Sequence, residues 1–261
     1  MLSELERDRA AELLRTAELD ARAIPPLRES FPGIDVVDAY EIQLRGIRRR
    51  LAEGATVHGH KVGLSSKAMQ EMMGVDEPDY GHLLDDMVLS EETPVEAARY
   101  LLPRVEVEVG FLLGADLPGE GCTVEDVLRA TEAVVPSIEL IDSRIADWRI
   151  GLEDTIADNA SSAGVVLGRE RRKPDELDLT AIDAVLFKNG EQVASGRSDA
   201  VLGNPAIAVA WLAQKVASFG VRLQAGHVVL PGSCTRAYDV VAGDQVTADF
   251  TGLGSVSLSF V

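Results

Sequence analysis

Cysteine, positive charge and long apolar runs are all in short supply in this chain. Its two cysteines, Cys122 and Cys234, stand far apart and outside any metal-type spacing. That argues against a disulfide framework and points to a cytoplasmic location. Lysine and arginine number 25 against 43 aspartates and glutamates, a formal charge of −18. Nucleic acid and anionic membranes are poor partners for such a chain, because phosphates reward clustered cations. The one basic run, Arg169 to Lys173, contains Glu170 and reads as a solvated turn. No apolar stretch approaches the ~18 residues that suggest a membrane span. Met1 to Arg15 is charged and helix-forming, without the apolar centre of a signal peptide. No strand is followed by Gly-x-Gly-x-x-Gly, and there is no Walker-type loop and no Gly-x-Ser-x-Gly elbow. Dinucleotide binding, P-loop chemistry and a serine-hydrolase triad therefore have little support. The four histidines, His58, His60, His82 and His227, lack the spacing of a helical zinc pair.

What is present suits a globular protein: 261 residues, 46% hydrophobic and 26% charged, enough to bury a substantial core. Residues 1–55 read as an N-terminal helical segment. Leu2 to Leu19 has helical periodicity, Pro25-Pro26 breaks it, and Asp35 caps a second helix that stops near Gly54. Residues 56–261 turn to short strands, with Val57 to Leu64 the first. Ser66 caps a short helix ending at Gly74, Thr123-Val124-Glu125-Asp126 opens a helix to about Val134, and Asn204-Pro205 opens another to about Phe219. Asn189-Gly190 between two short strands is a hairpin signal. Strands end the chain at 228–230, 245–250 and 256–260. Interspersed helices without regular βαβ alternation predict an α+β fold on a rolled or sandwiched sheet, not a Rossmann fold or a TIM barrel.

Three glutamates stand out. Glu106 and Glu108 lie two apart in Val105-Glu106-Val107-Glu108-Val109, so a strand sends both to one face. Glu139 interrupts the apolar run Val134 to Ile141. Carboxylates are rarely buried unless paired or bound to metal. Converging on one cavity, the three would form a hard oxygen site of the kind Mg²⁺ or Mn²⁺ occupies. The competing reading is an edge strand with Glu106 and Glu108 facing water and the valines facing the core. Lys61, between Gly59 and Gly63, is either a carboxylate anchor on a strand or a surface lysine. Asp79 follows Pro78 in what reads as a loop, and Asp76 and Glu77 beside it are equally acidic. The polar stretches Asp154 to Gly164 and Pro231 to Arg236 are pocket walls or tight turns.

These segments carry a resemblance. Gly59-His60-Lys61-Val62-Gly63-Leu64, Gly74 to Gly81, Pro103 to Glu108, Pro136-Ser137-Ile138-Glu139, Ser143 to Trp148 and Asp154 to Ser162 occur in order. Together they resemble the hydratase/decarboxylase branch of the fumarylacetoacetate hydrolase superfamily, most of all its 2-hydroxypenta-2,4-dienoate (2-oxopent-4-enoate) hydratases. The resemblance implies a mixed β-roll core with an appended N-terminal helical part, in a homo-oligomer. It implies Mg²⁺ or Mn²⁺ held by Glu106, Glu108 and Glu139, an active-site pair Lys61 and Asp79, and a substrate contact at Ser161. Family members of this kind act in meta-cleavage degradation of aromatic rings, some of them in steroid ring degradation, and enzymes of one pathway can associate.

The implied chemistry is hydration of a 2-hydroxydienoate to a 4-hydroxy-2-oxo acid. Lys61 would pair with the substrate carboxylate and Asp79 would move protons. Decarboxylation of 2-oxo-3-hexenedioate (4-oxalocrotonate) is the nearest rival, and it needs a cation for a second carboxylate, for which Arg144 and Arg236 are candidates. Carbon–carbon hydrolysis of an acylpyruvate would need a base such as His58, His60 or His82. A catalytically silent partner with structural acidic strands is the remaining alternative.

Overall fold

The computed structural model describes residues 1–261, apart from the side chains of Ala68, Met72 and Met73. Helices α1 (Glu4–Leu19), α2 (Leu27–Ser30) and α3 (Val36–Ala52) precede strand β1 (Val57–Gly63). Then come α4 (Lys67–Met73), β2 (Asp79–Leu84), β3 (Arg104–Leu113), α5 (Val124–Ala130) and β4 (Thr131–Ile141). Helix α6 (Leu152–Ala157) leads into β5 (Ser162–Leu167), the hairpin β6 (Asp183–Lys188) and β7 (Glu191–Arg197), and α7 (Pro205–Ala217). Strands β8 (Val228–Leu230), β9 (Tyr238–Asp239), β10 (Gln245–Phe250) and β11 (Gly254–Ser259) complete the chain.

The strands form two sheets. One has seven strands in the order β2-β1-β8-β3-β4-β5, with β9 paired to β3; the other has the order β11-β10-β6-β7. Strands β10 and β11 pack across β4, so the smaller sheet closes over one side of the larger. Val105, Val107, Val109 and Phe111 of β3 fill the core between them, and α7 adds Ala206, Val209, Leu212 and Val216. The fold is α+β with mixed, curled sheets and helices at the N-terminus, as the sequence implies.

Local signals place the helices. Ser3, Asp35, Ser66, Thr123 and Asn204 each accept a backbone N–H at a helix start. The N-terminal helices pack onto the main body of the same chain. Asp38, buried in α3, accepts Arg7 Nε at 2.9 Å and the Leu2 N–H at 2.9 Å, which ties α1 to α3. Gln43 on the next turn donates to the carbonyls of Tyr80 (2.9 Å) and Ile156 (2.8 Å), joining α3 to β2 and α6. Tyr40 stacks on Tyr80 with ring centroids 4.7 Å apart.

Three expectations change. The helix opened by Thr123 ends at Ala130, because Thr131 begins β4 and its hydroxyl donates to the Val127 carbonyl. Asp79 is the first residue of a strand, not part of a loop: β2 pairs with β1 in register, with Asp79 opposite Gly63 and Gly81 opposite Lys61. Polar residues 154–164 divide into a helical turn and a sixth strand of the main sheet, β5.

Candidate active site

Register brings the acids together. Glu106 of β3 lies directly opposite Glu139 of β4, and Glu108 lies opposite Ser137. Opposite residues on antiparallel neighbours share a face, so all three carboxylates point the same way, away from the valines. One oxygen from each lies within 4.8 Å of the others. Glu108 and Glu139 are wholly buried, and Glu106 is half-buried at the rim. The edge-strand reading fails because β3 is central, with β8 on one side and β4 on the other.

Few protein groups satisfy these acids. Glu108 Oε2 accepts the Gly232 N–H at 2.7 Å, while Glu108 Oε1 and both Glu139 oxygens have no hydrogen-bond partner. Burial holds the Glu108 carboxyl well above its ordinary value, and the charges of Glu139 and Glu106 add to it. Burial likewise raises Glu139 to about 7, against the pull of Lys61 and with the push of Glu106. Buried carboxylates left without donors are costly unless a cation neutralises them. An all-oxygen donor set with bare, convergent lone pairs fits a hard divalent cation.

Lys61 and Asp79 complete the cluster. Lys61 is buried, donates to the Ala160 carbonyl at 2.9 Å and lies 3.4 Å from Glu139 Oε2. Burial alone would lower its pKa, but Glu139, Glu106, Asp79 and Glu108 outweigh that and keep the ammonium charged. Gly63 lies opposite Asp79 in the β1–β2 ladder, and a side chain there would overlap Asp79 Oδ1. Asp79 Oδ2 accepts the Thr155 hydroxyl at 3.2 Å, and Oδ1 is buried and bare. Burial raises its pKa, in spite of Lys61 and Thr155. Neighbouring Glu77 is instead paired with Lys215 at 2.6 Å, and Asp76 is exposed. Ser161, one residue beyond the carbonyl that holds Lys61, has a buried hydroxyl with no partner.

A fumarylacetoacetate (FAA) hydrolase C-terminal family model matches residues 53–261. The chain belongs to the fumarylacetoacetate hydrolase family. Within it, the chain is 43% identical to the 2-oxo-hept-4-ene-1,7-dioate hydratase of Escherichia coli, over 96% of both chains. It is 42% identical to the 2-keto-4-pentenoate hydratase of Paraburkholderia xenovorans, over 98% of this chain and 95% of that one. Among solved structures, the 4-oxalocrotonate decarboxylase of Pseudomonas putida G7, complexed with magnesium and adipate, superposes with a TM-score of 0.97 at 36% identity. That superposition covers 100% of this chain and 99% of the decarboxylase.

Gly232, Thr155 and Ala160 fall in the two stretches, 154–164 and 231–236, that the sequence marks as pocket walls or tight turns, but their individual contacts carry no signal in residue identity. Gly232 donates to Glu108 only because the chain after β8 runs back along β3, where the Cys234 N–H reaches the Val107 carbonyl at 2.8 Å. Thr155 and the Ala160 carbonyl depend on contacts 76 and 99 residues away in sequence. The spacing Gly59-x-Lys61-x-Gly63 was the one legible trace of crowding. Other candidates lie off the site. His60 and His82 face each other across β1 and β2, on the side opposite Lys61 and Gly81, with ring centroids 4.9 Å apart. Neither can serve as a base beside the carboxylates. Arg144 is committed to Asp158 (Nε to Oδ1, 2.5 Å) and to the carbonyls of Asp142 and Asp158. Arg236 is exposed and lies over the Tyr238 ring, 4.5 Å from its centroid.

Proposed function

We propose that the chain is a metal-dependent hydratase. It adds water to 2-hydroxypenta-2,4-dienoate, or a short alkyl homologue, to give a 4-hydroxy-2-oxo acid in the degradation of aromatic or steroid rings. The observation that carries this reading is the one face of the seven-stranded sheet shared by three convergent glutamates, a charged lysine and a bare, protonatable aspartate. Relatives more than 40% identical that are named as hydratases support it. Glu106, Glu108 and Glu139 would hold Mg²⁺ or Mn²⁺, which supplies Lewis acidity toward the carboxylate and C2 oxygen of a 2-oxo acid. Three carboxylates against a 2+ ion leave one negative charge, and Lys61 balances it and receives the substrate carboxylate. Asp79, raised in pKa and held by Thr155, is placed to move protons. Ketonisation takes the proton from the C2 hydroxyl and adds one at C5. Water then adds its oxygen at C4 and a proton at C3, so the sequence consumes one water. Ser161 offers a free hydroxyl to the substrate.

The test is incubation with Mg²⁺ and either 2-hydroxypenta-2,4-dienoate or 2-oxo-3-hexenedioate, following dienoate absorbance and CO₂. Dienoate loss without CO₂ from the diacid is expected. Asp79→Asn should slow turnover by about 10²- to 10⁴-fold with Mg²⁺ affinity unchanged; full activity removes Asp79 from the reaction. The decarboxylase fold match keeps a second reading alive, and CO₂ release from the diacid would establish it. Against it stands the engagement of Arg144, the buried cation offered for a second carboxylate, by Asp158.

A further inference from the structure

Asn159, Ala160 and Ser161 are three consecutive non-glycine residues in the left-handed region, with φ of 55°, 50° and 55°. L-residues visit this region singly, because the Cβ crowds the neighbouring carbonyl oxygen there. A run of three persists only where surrounding contacts over-determine it. The contacts are specific. The Asn159 side chain accepts the His82 N–H at 2.7 Å and donates to the His82 carbonyl at 2.9 Å. It thereby pairs with β2 as a neighbouring strand would, and β2 is the edge of its sheet. A Cβ on Gly81 would overlap the Asn159 carbonyl, so glycine is required for the turn to lie this close. On the other side, Asp158 accepts the Arg144 N–H at 2.9 Å, and the Ser161 carbonyl accepts the Asp142 N–H at 2.8 Å. What the turn presents is the Ala160 carbonyl to Lys61 and the unpartnered Ser161 hydroxyl.

We infer that Asn159 is a positioning residue: its side-chain pairing with the β2 edge locks the strained turn that orients Lys61 and Ser161 toward the substrate carboxylate. This rests on the proposed function for the identity of the substrate, but not for the anion contact itself. The test compares Asn159→Gly, which keeps the left-handed backbone accessible and removes only the clamp, in wild-type and Ser161→Ala backgrounds. Three quantities are read: Mg²⁺ affinity by calorimetry, oxalate affinity of the Mg²⁺-loaded protein, and dienoate kcat/KM. Asn159→Gly should weaken oxalate binding and lower kcat/KM by about 10- to 100-fold, with Mg²⁺ affinity within about twofold. In the Ser161→Ala background the same change should cost severalfold less than in wild type, because one of the two groups it positions is gone and only the loss through Lys61 remains. Unchanged oxalate affinity, a parallel fall in Mg²⁺ affinity, or an equal loss in both backgrounds would overturn the inference. Wild-type protein that binds oxalate but does not consume the dienoate would sink the hydratase reading and leave oxalate to decide on Asn159.

Discussion

In the four-stranded sheet, β10 alternates in the manner of an ordinary two-faced strand: Val246, Ala248 and Phe250 are buried while Gln245 and Asp249 are exposed. Among the described residues, no buried side-chain polar atom on its strands lacks a partner. The seven-stranded sheet does the opposite. It buries Lys61, Asp79, Glu108 and Glu139 on one face and leaves carboxylate oxygens of the three acids bare. The same chain follows the rules of packing in one sheet and breaks them in the other. Violations of this kind concentrate where a protein binds or reacts, so the contrast locates function before any relative is consulted.

Breaking the unusual sheet should cost activity, and breaking the ordinary one should cost only stability. The largest effect is expected at Glu139. Glu139→Gln should lower Mg²⁺-dependent turnover by about 10³-fold. Chelator-treated variant should melt no lower than chelator-treated wild type, because a buried, repelled acid is gone. A wild type that gains no melting temperature from Mg²⁺ would remove the metal from this account.

Next in size is the rear face of the same sheet. Burial, with His227 adding to it, lowers the His82 pKa to about 4, and burial with the charges of His82 and His227 holds His60 well below its ordinary value. Between pH 6.5 and 4 the unfolded chain binds protons that these rings refuse when folded. Their contribution to stability is therefore fully present above about pH 6.5 and is lost toward pH 4, by roughly 3 kcal/mol for His82, while the raised carboxyls of Glu108 and Glu139 act in the opposite sense. Denaturant melts of wild type and His82→Asn across that range separate the two: the difference between them should change by that amount, and parallel profiles contradict the burial argument.

A smaller loss is expected at Gly232, whose φ of 121° and proximity to Ser65 leave no room for a Cβ. Gly232→Ala should disturb the N–H that orients Glu108 and weaken Mg²⁺ binding by about 10- to 100-fold. The smallest belongs to the other sheet: Gly190→Ala, at φ 82° in the β6–β7 turn, should cost about 1 kcal/mol and leave kcat/KM unchanged. A drop in turnover there would blur the division between the sheets.

Much of this was legible in sequence where the signal is local. Asp35, Ser66 and Asn204 cap helices where capping chemistry says they should, and Asn189-Gly190 makes the hairpin. The period of two put Glu106 and Glu108 on one face, Glu139 showed as a charge inside an apolar run, and the resemblance chose between the open readings of Lys61 and Asp79. What stayed hidden depends on distant partners. Asp79 read as loop because proline and glycine surround it, yet Gly81 lies within β2 and makes room for the Asn159 carbonyl. The donor to Glu108 is a backbone amide, which leaves no trace in residue identity, and the engagement of Arg144 by Asp158 is invisible until both are folded.

Gln43 has a consequence for modularity. The stretch common to the wider family begins at residue 53, which invites treating the first three helices as a detachable appendage. Yet a single amide from that appendage accounts for the carbonyls of Tyr80 and Ile156 and reaches His82 Nδ1 at 3.1 Å. Tyr80 and Ile156 are the immediate sequence neighbours of Asp79 and Thr155. A chain trimmed to the shared stretch would strip those groups of their partners directly behind Asp79 and Thr155. The helical extension and the strands that carry Lys61 and Asp79 are thus one packed unit, and trimming the first is expected to loosen the second.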